Sequence, residues 1–144
     1  TGDMRSVVQD RSLYEDAEVF AKNLYLQGAM GEQEWATYLE LYQTLASILP
    51  PPDLVIYIRA SVDTLKSRIA KRARDFETSI PESYLQGLNK LYEEWIQGFT
   101  LAPVLTIPGD RFDFVEDSRD LSAICATVKK RLQDPQNLLF PYEM

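Results

Sequence analysis

The chain has 144 residues, 45% of them hydrophobic, and a net charge of −7, a size that encloses one core rather than two and a balance that argues against a general nucleic-acid or anionic-membrane binder. No stretch approaches the ~18 apolar residues of a membrane span, and Thr1 to Gln9 lacks the charged-then-apolar layout of a secretory signal. Histidine is absent and Cys125 is alone, which excludes His-based catalysis, most zinc chemistry and an internal disulfide and makes a reducing cytoplasm the expected setting.

In chain order, Arg5 to Gln9 reads as a short strand with Val7 and Val8 at its centre, leading into Asp10-Arg11-Ser12. A helix is expected from about Leu13 to Gln27, apolar at Tyr14, Ala17, Phe20, Ala21, Leu24 and Tyr25 and ended by Gly28. A second, from about Glu32 to Leu49, carries Trp35, Tyr38, Leu39, Tyr42, Leu45 and Leu49 on one side and stops at Pro50-Pro51-Pro52. Leu54 to Ile58 is a continuous apolar run, the pattern of a parallel strand covered on both faces. Ser61 suits the N-cap of a helix over Val62 to Arg74. Pro81 opens another, with Tyr84, Leu85, Leu88, Leu91, Tyr92, Trp95 and Phe99 as its stripe. Val104 to Ile107 is a third strand, Pro108 to Asp117 a loop, and Leu121, Ile124, Cys125, Val128 and Leu132 mark a last helix. The tail from Asp134 to Met144 is expected to be loosely held. Strands separated by helices indicate a parallel α/β sheet, whose ligands sit at the carboxyl ends of the strands.

Three groups of residues carry chemistry. Asp10-Arg11-Ser12 stands at the end of the first expected strand, where an acid and a base suit magnesium and a phosphate, though the same triplet also reads as a turn whose Asp or Ser caps the helix. Lys66, Arg68, Lys71, Arg72 and Arg74 place five of the fifteen basic residues in nine positions. Arg68 and Arg72 share a helix face, and a guanidinium fork matches phosphate oxygens; the competing reading is a solvated helix surface. Asp16 and Phe20, one turn apart, offer a carboxylate and a ring to one nucleobase, or simply a surface charge and a core residue.

Taken in order, these elements resemble the deoxynucleoside kinase family, which includes deoxyadenosine, deoxyguanosine and deoxycytidine kinases. Asp10-Arg11-Ser12 is similar to the family's acid-Arg-Ser motif, aspartate standing where some members have glutamate, and Tyr14 to Ala21 resembles the substrate helix after it. Arg68 to Glu77 is similar to the arginine-rich lid, with Asp75-Phe76 in its variable interior, and Ile80 to Trp95 to the helix that follows. The likeness runs from Val7 to about Leu132.

The resemblance implies a three-layer α/β/α parallel sheet of the P-loop nucleoside kinase type, residues 1–133 forming the carboxy-terminal part of the kinase domain and 134–144 a tail. It implies transfer of phosphate from ATP, with Mg2+, to the 5′-hydroxyl of a deoxynucleoside, a purine being favoured. Asp10 would help hold magnesium, Arg11 would contact the 5′-oxygen and phosphate, Asp16 would bond the base edge and Phe20 stack on it. Arg68, Arg72 and Arg74 would meet the ATP phosphates, Glu77 the sugar 3′-hydroxyl, and Asp113 and Phe114 the adenine of ATP. A homodimer through the first two helices, near Trp35, Tyr38 or Tyr42, is also implied. The phosphate-binding loop G-x-x-x-x-G-K-[ST] and the carboxylate base, which precede the triplet in the family, do not occur in these 144 residues, so this stretch alone is expected to be inactive. The alternatives are a nucleoside monophosphate kinase, for which no extra basic residue lies near Asp16, and a non-catalytic interaction protein that keeps the half-fold.

Overall fold

The computed structural model describes residues 6–72 and 80–133 and the backbone of Tyr142–Glu143. They fall into two compact units, Thr1–Leu49 and Pro50–Met144, divided at the proline run that ends a helix. The first unit opens on one continuous rod: α1 (Leu13–Glu15), a π-wound segment (Asp16–Ala21) and α2 (Lys22–Leu26). Ser12 caps it, its Oγ accepting from the Glu15 N–H at 3.2 Å. Gly28 closes it at φ 73°, with the Gly28 N–H on the Tyr25 carbonyl and the Ala29 N–H on the Leu24 carbonyl, a Schellman close that needs a residue without Cβ strain. Helix α3 (Glu32–Ile48) starts where the Gly31 N–H donates to Glu34 Oε2 at 2.8 Å; glycine has no side chain to return the bond, so only half of a capping box exists. The half-buried side of α3 places Tyr42 edge-on to Tyr14 and lays Trp35 flat between Tyr25 and Tyr38.

The second unit is a parallel sheet in the order β1 (Val55–Arg59), β2 (Val104–Pro108), β3 (Tyr142–Glu143). Val55 pairs with Val104 and Arg59 with Pro108, while Leu105 pairs with Tyr142. Between β1 and β2 the chain forms α4 (Val62–Arg72) and α5 (Glu82–Gly98), and α6 (Ser118–Gln133) follows β2. Leu105, Ile107 and Ile124 are its core, packed by Leu54, Phe112, Phe114 and Val128; full burial of each such aliphatic side chain is worth about 1.5–3 kcal/mol. Tyr57 stacks on Tyr92 of α5 at 6.0 Å and donates to Glu93 Oε1, which also receives Arg59 Nε at 3.0 Å. Burial first, then the Glu93 hydrogen bond and charge, push the Tyr57 phenol well up from its ordinary value.

Four details differ from the sequence reading. Val7 and Val8 form no strand and are 82% and 97% exposed, because a β-strand exists only where a neighbour takes its hydrogen bonds and no described strand pairs there. Ile56 and Ile58 of β1 remain 43% and 42% exposed, so β1 is covered on the Tyr57 face and not on both. Val104 to Ile107 is a strand as expected, and the sheet gains a further one at Tyr142–Glu143, in the tail expected to be loose, where two residues add to the β2 edge. The π winding also shifts the first helix's stripe: a π turn takes more residues than an α turn, so Val19 is fully buried and Leu24 is 42% exposed.

Candidate functional site

In the second unit the carboxyl end of the sheet is covered by a turn that folds back over β1. Gly109 follows β2 directly, and its N–H donates to the Arg59 carbonyl at 2.6 Å. A Cβ at residue 109 would lie 2.9 Å from that carbonyl oxygen and 3.0 Å from Ile58 Cγ2, so only glycine lets the backbone sit so close. Asp110 Oδ1 accepts from the Ser61 N–H at 2.9 Å and lies 3.1 Å from Ser61 Oγ. The hydrogen bonds from Thr64 and Ser61 hold the Asp110 carboxyl below the ordinary carboxylate range, with Arg68 adding to the effect. Ser61 Oγ itself caps α4 by accepting from the Thr64 N–H at 3.2 Å, as the sequence suggested.

Arg68, on the second turn of α4, reaches the same turn from the side. Its Nη2 donates to the Gly109 carbonyl at 2.6 Å and to the Phe112 carbonyl at 3.0 Å. The far end of the turn is held by the Asp113 N–H on Asp120 Oδ2 of α6, at 2.8 Å. Between turn and helix lies an open cavity of about 200 Å³ lined by Thr64, Ser67, Arg68 and Lys71 on one side and Gly109 to Asp113 on the other. Its walls offer three cationic side chains, Arg68, Lys71 and Arg111, against two carboxylates, Asp110 and Asp113, together with a row of backbone groups, a surface of net positive charge suited to an anionic, hydrogen-bonding ligand.

Arg72 stands one turn beyond Arg68 at the exposed end of α4. Arg74 and Glu77 lie outside the described residues. Asp113 lines the cavity, with Oδ1 also accepting from the Glu116 N–H at 3.2 Å. Phe114 packs against the Leu105, Ile107 and Ile124 core beneath the turn.

In the first unit, Asp10 and Arg11 are exposed, and Arg11 adopts φ 62°, a left-handed conformation that a residue with a side chain takes up at a cost of about 1–3 kcal/mol. That conformation turns the chain into the Ser12 cap and brings the Arg11 guanidinium over the Phe20 ring, 4.6 Å from its centroid. Asp16 and Phe20 both fall on the π-wound segment, a winding frequent at functional sites. Asp16 is exposed, and its charge adds to burial in pushing the Tyr38 phenol up. The sequence reading joined Arg11 with Asp10 and Phe20 with Asp16; the structure joins Arg11 with Phe20. Magnesium on a nucleotide is usually held by one or two carboxylates together with the phosphate oxygens and waters. The exposed Asp10 carboxylate fits that role.

Residues the sequence reading missed are Gly109, Asp110, Ser61 as a partner of Asp110, and Thr64. The one available signal was a glycine and an aspartate directly after a strand, at the carboxyl end where such folds bind ligands.

The Deoxynucleoside kinase family model matches residues 3–133. The chain is 32% identical over 131 residues to a deoxyadenosine/deoxycytidine kinase of Bacillus subtilis, covering 90% of this chain and 60% of that protein. It is 36% identical over 119 residues to a deoxyguanosine kinase of the same organism, covering 80% of this chain and 58% of the relative. Among solved structures, a deoxyadenosine kinase from M. mycoides with bound dCTP superposes with a TM-score of 0.67 at 31% identity, over 83% of this chain and 62% of that one. The chain therefore spans about three fifths of the length of the relatives it matches.

Proposed function

The chain belongs to the deoxynucleoside kinase family, and we propose that the protein carrying it phosphorylates a deoxynucleoside, a purine deoxynucleoside by preference, at the 5′-hydroxyl with ATP. The observation that carries this reading is the family match over residues 3–133 together with a cationic, backbone-lined cavity at the carboxyl ends of parallel strands. Residues 1–133 are then the carboxy-terminal part of the kinase domain and 134–144 its tail.

In this reading the 5′-oxygen attacks the γ-phosphorus, the bond to the β–γ bridging oxygen breaks, ADP leaves, and the hydroxyl proton passes to a base. Such a transfer asks little covalent chemistry of the protein and depends on positioning and charge. Asp16 accepts from the edge of the base and Phe20 provides a ring for it to stack on. Arg11, which already lies over Phe20, meets the 5′-oxygen and the phosphate. Arg68, Arg72 and Arg74 supply fixed positive charge along the ATP phosphates, Glu77 accepts from the sugar 3′-hydroxyl, and the turn through Asp113, backed by Phe114, lies against the adenine of ATP. Magnesium, held in part by Asp10, would neutralise phosphate charge. The names of the relatives, deoxyadenosine and deoxyguanosine kinases among them, support the purine preference.

The whole enzyme is a cytoplasmic homodimer in this account. A lone cysteine suits that compartment. The flat Tyr25–Trp35–Tyr38 stack, and the exposed Leu24, Leu26, Leu41 and Ile48 on the same helices, supply apolar surface for a two-fold contact. Sedimentation equilibrium at micromolar concentration is expected to give twice the chain mass; a strictly monomeric mass contradicts the dimer.

Radiolabelled phosphate transfer from ATP to the four deoxynucleosides and their monophosphates tests the function. Label in the 5′-monophosphates of deoxyadenosine or deoxyguanosine is expected from the whole protein, and none from these 144 residues alone, which contain no G-x-x-x-x-G-K-[ST]. Label only in diphosphates would make it a monophosphate kinase, and no label at all would leave the interaction-protein reading.

A further inference from the structure

We infer that Asp110 is a positioning residue for ATP, fastening the turn that forms one wall of the nucleotide cavity. The inference rests on the reading of that cavity as the ATP site.

Asp110 is exposed, yet its carboxylate is engaged by the Ser61 N–H at 2.9 Å, Ser61 Oγ at 3.1 Å and the Thr64 hydroxyl. Capping α4 does not need it, because Ser61 Oγ already accepts from the Thr64 N–H in the ordinary N-cap manner. What Asp110 adds is a link between chain segments 49 residues apart, the start of α4 and the turn after β2. Both segments line the cavity: Thr64, Ser67, Arg68 and Lys71 from one, Gly109 to Asp113 from the other. The carboxylate therefore helps to fix the width of the cavity at the amino end of α4, as the Arg68 clamp does further along.

Three other contacts act on the same turn. Gly109 rests on the Arg59 carbonyl, Arg68 Nη2 bonds the Gly109 and Phe112 carbonyls, and the Asp113 N–H is held by Asp120. Asp110 is the fastening between the two walls at the amino end of α4, and without it the Arg68 clamp one turn further along has to hold the wall by itself. A polar group that needs no ligand of its own but sets the spacing of two ligand-facing walls acts through preorganisation, and its loss falls on the affinity of the ligand between them.

Isothermal titration of the whole protein with ATP, and separately with the deoxynucleoside, tests this on Asp110→Ala, Asp110→Asn and Ser61→Ala. Asp110→Ala is expected to raise the Kd for ATP about tenfold while the Kd for the deoxynucleoside stays within about twofold. Asp110→Asn keeps an oxygen acceptor and should remain within about threefold of the wild type for ATP. Unchanged ATP affinity in Asp110→Ala, or equal loss for both ligands, overturns the assignment. If Asp110→Ala does not fold, Ser61→Ala decides: a selective loss of ATP affinity supports the link, and unchanged affinity overturns it. A wild type that binds ATP but phosphorylates nothing contradicts the kinase reading alone, and the same Kd comparison still decides Asp110. A wild type that binds no ATP overturns both.

Discussion

The Arg11 guanidinium lies 4.6 Å from the centroid of the Phe20 ring, so the left-handed residue that precedes the first helix is tied to the aromatic residue two turns into it. A cation over a ring face contributes roughly 0.5–1 kcal/mol at a solvated site. In the proposed reading the Phe20 ring serves both Arg11 and a stacking base. Replacement by leucine keeps the volume and removes the π face. Phe20→Leu is expected to raise the KM for the deoxynucleoside about tenfold while the KM for ATP is unchanged. Steady-state kinetics with each substrate varied in turn check this, and a rise confined to ATP would contradict it.

Arg72 sits four residues beyond Arg68, exposed in the last turn of α4. Arg72→Ala is expected to lower kcat about 10²–10³-fold, roughly 3–4 kcal/mol of transition-state charge stabilisation, with nucleoside KM preserved. Weakened nucleoside binding with intact turnover would remove Arg72 from the phosphate site.

Gly109→Ala places a methyl group 2.9 Å from the Arg59 carbonyl oxygen and 3.0 Å from Ile58 Cγ2. The nearer atom is backbone and cannot rotate away. A loss of about 1–3 kcal/mol of unfolding free energy is expected in urea denaturation, the usual penalty for overfilling a closed contact. A change below about 0.5 kcal/mol, the range of an ordinary surface substitution, would mean that the turn lies further from β1 than described.

The Tyr42 phenol is pushed up to about 12 from an ordinary 10.0, by burial first and then by the Glu18 carboxylate, which its hydroxyl faces at 3.5 Å. Folding favours the neutral phenol, so the contribution to stability is complete below pH 10.0 and is lost as pH rises through about 12. Tyr57 acts in the same direction, through burial and Glu93. Tyr42→Phe has no proton to lose, so its fall in Tm between pH 9 and pH 11.5 should be smaller than that of the wild type. Equal falls in the two proteins would contradict the shift.

Much of the fold was legible because it is local. The stripes at Trp35, Tyr38 and Tyr42 and at Leu85, Leu88 and Leu91 match the helix period, and Ser61 and Gly28 mark helix ends by chemistry that works within four residues. What escaped depends on distant or subtle partners. Val7 and Val8 have strand propensity, but a strand also needs an adjacent one. The π winding of Asp16–Ala21 leaves no mark in the residue types, since its apolar spacing also fits an α-helix. Arg68 was legible as a cation, but the carbonyls it bonds belong to a turn 41 and 44 residues away. Asp110 gave no cue beyond its place after a strand, because the groups it holds lie in another element.

A crystal structure of the whole protein with deoxyadenosine and a non-hydrolysable ATP analogue decides which site each base occupies. The deoxyadenosine base is expected to stack on Phe20 with its edge on Asp16, and the adenine of the ATP analogue to lie between α4 and the Gly109–Asp113 turn. Deoxyadenosine in that cavity, or a base making no contact with Phe20 or Asp16, would contradict the account.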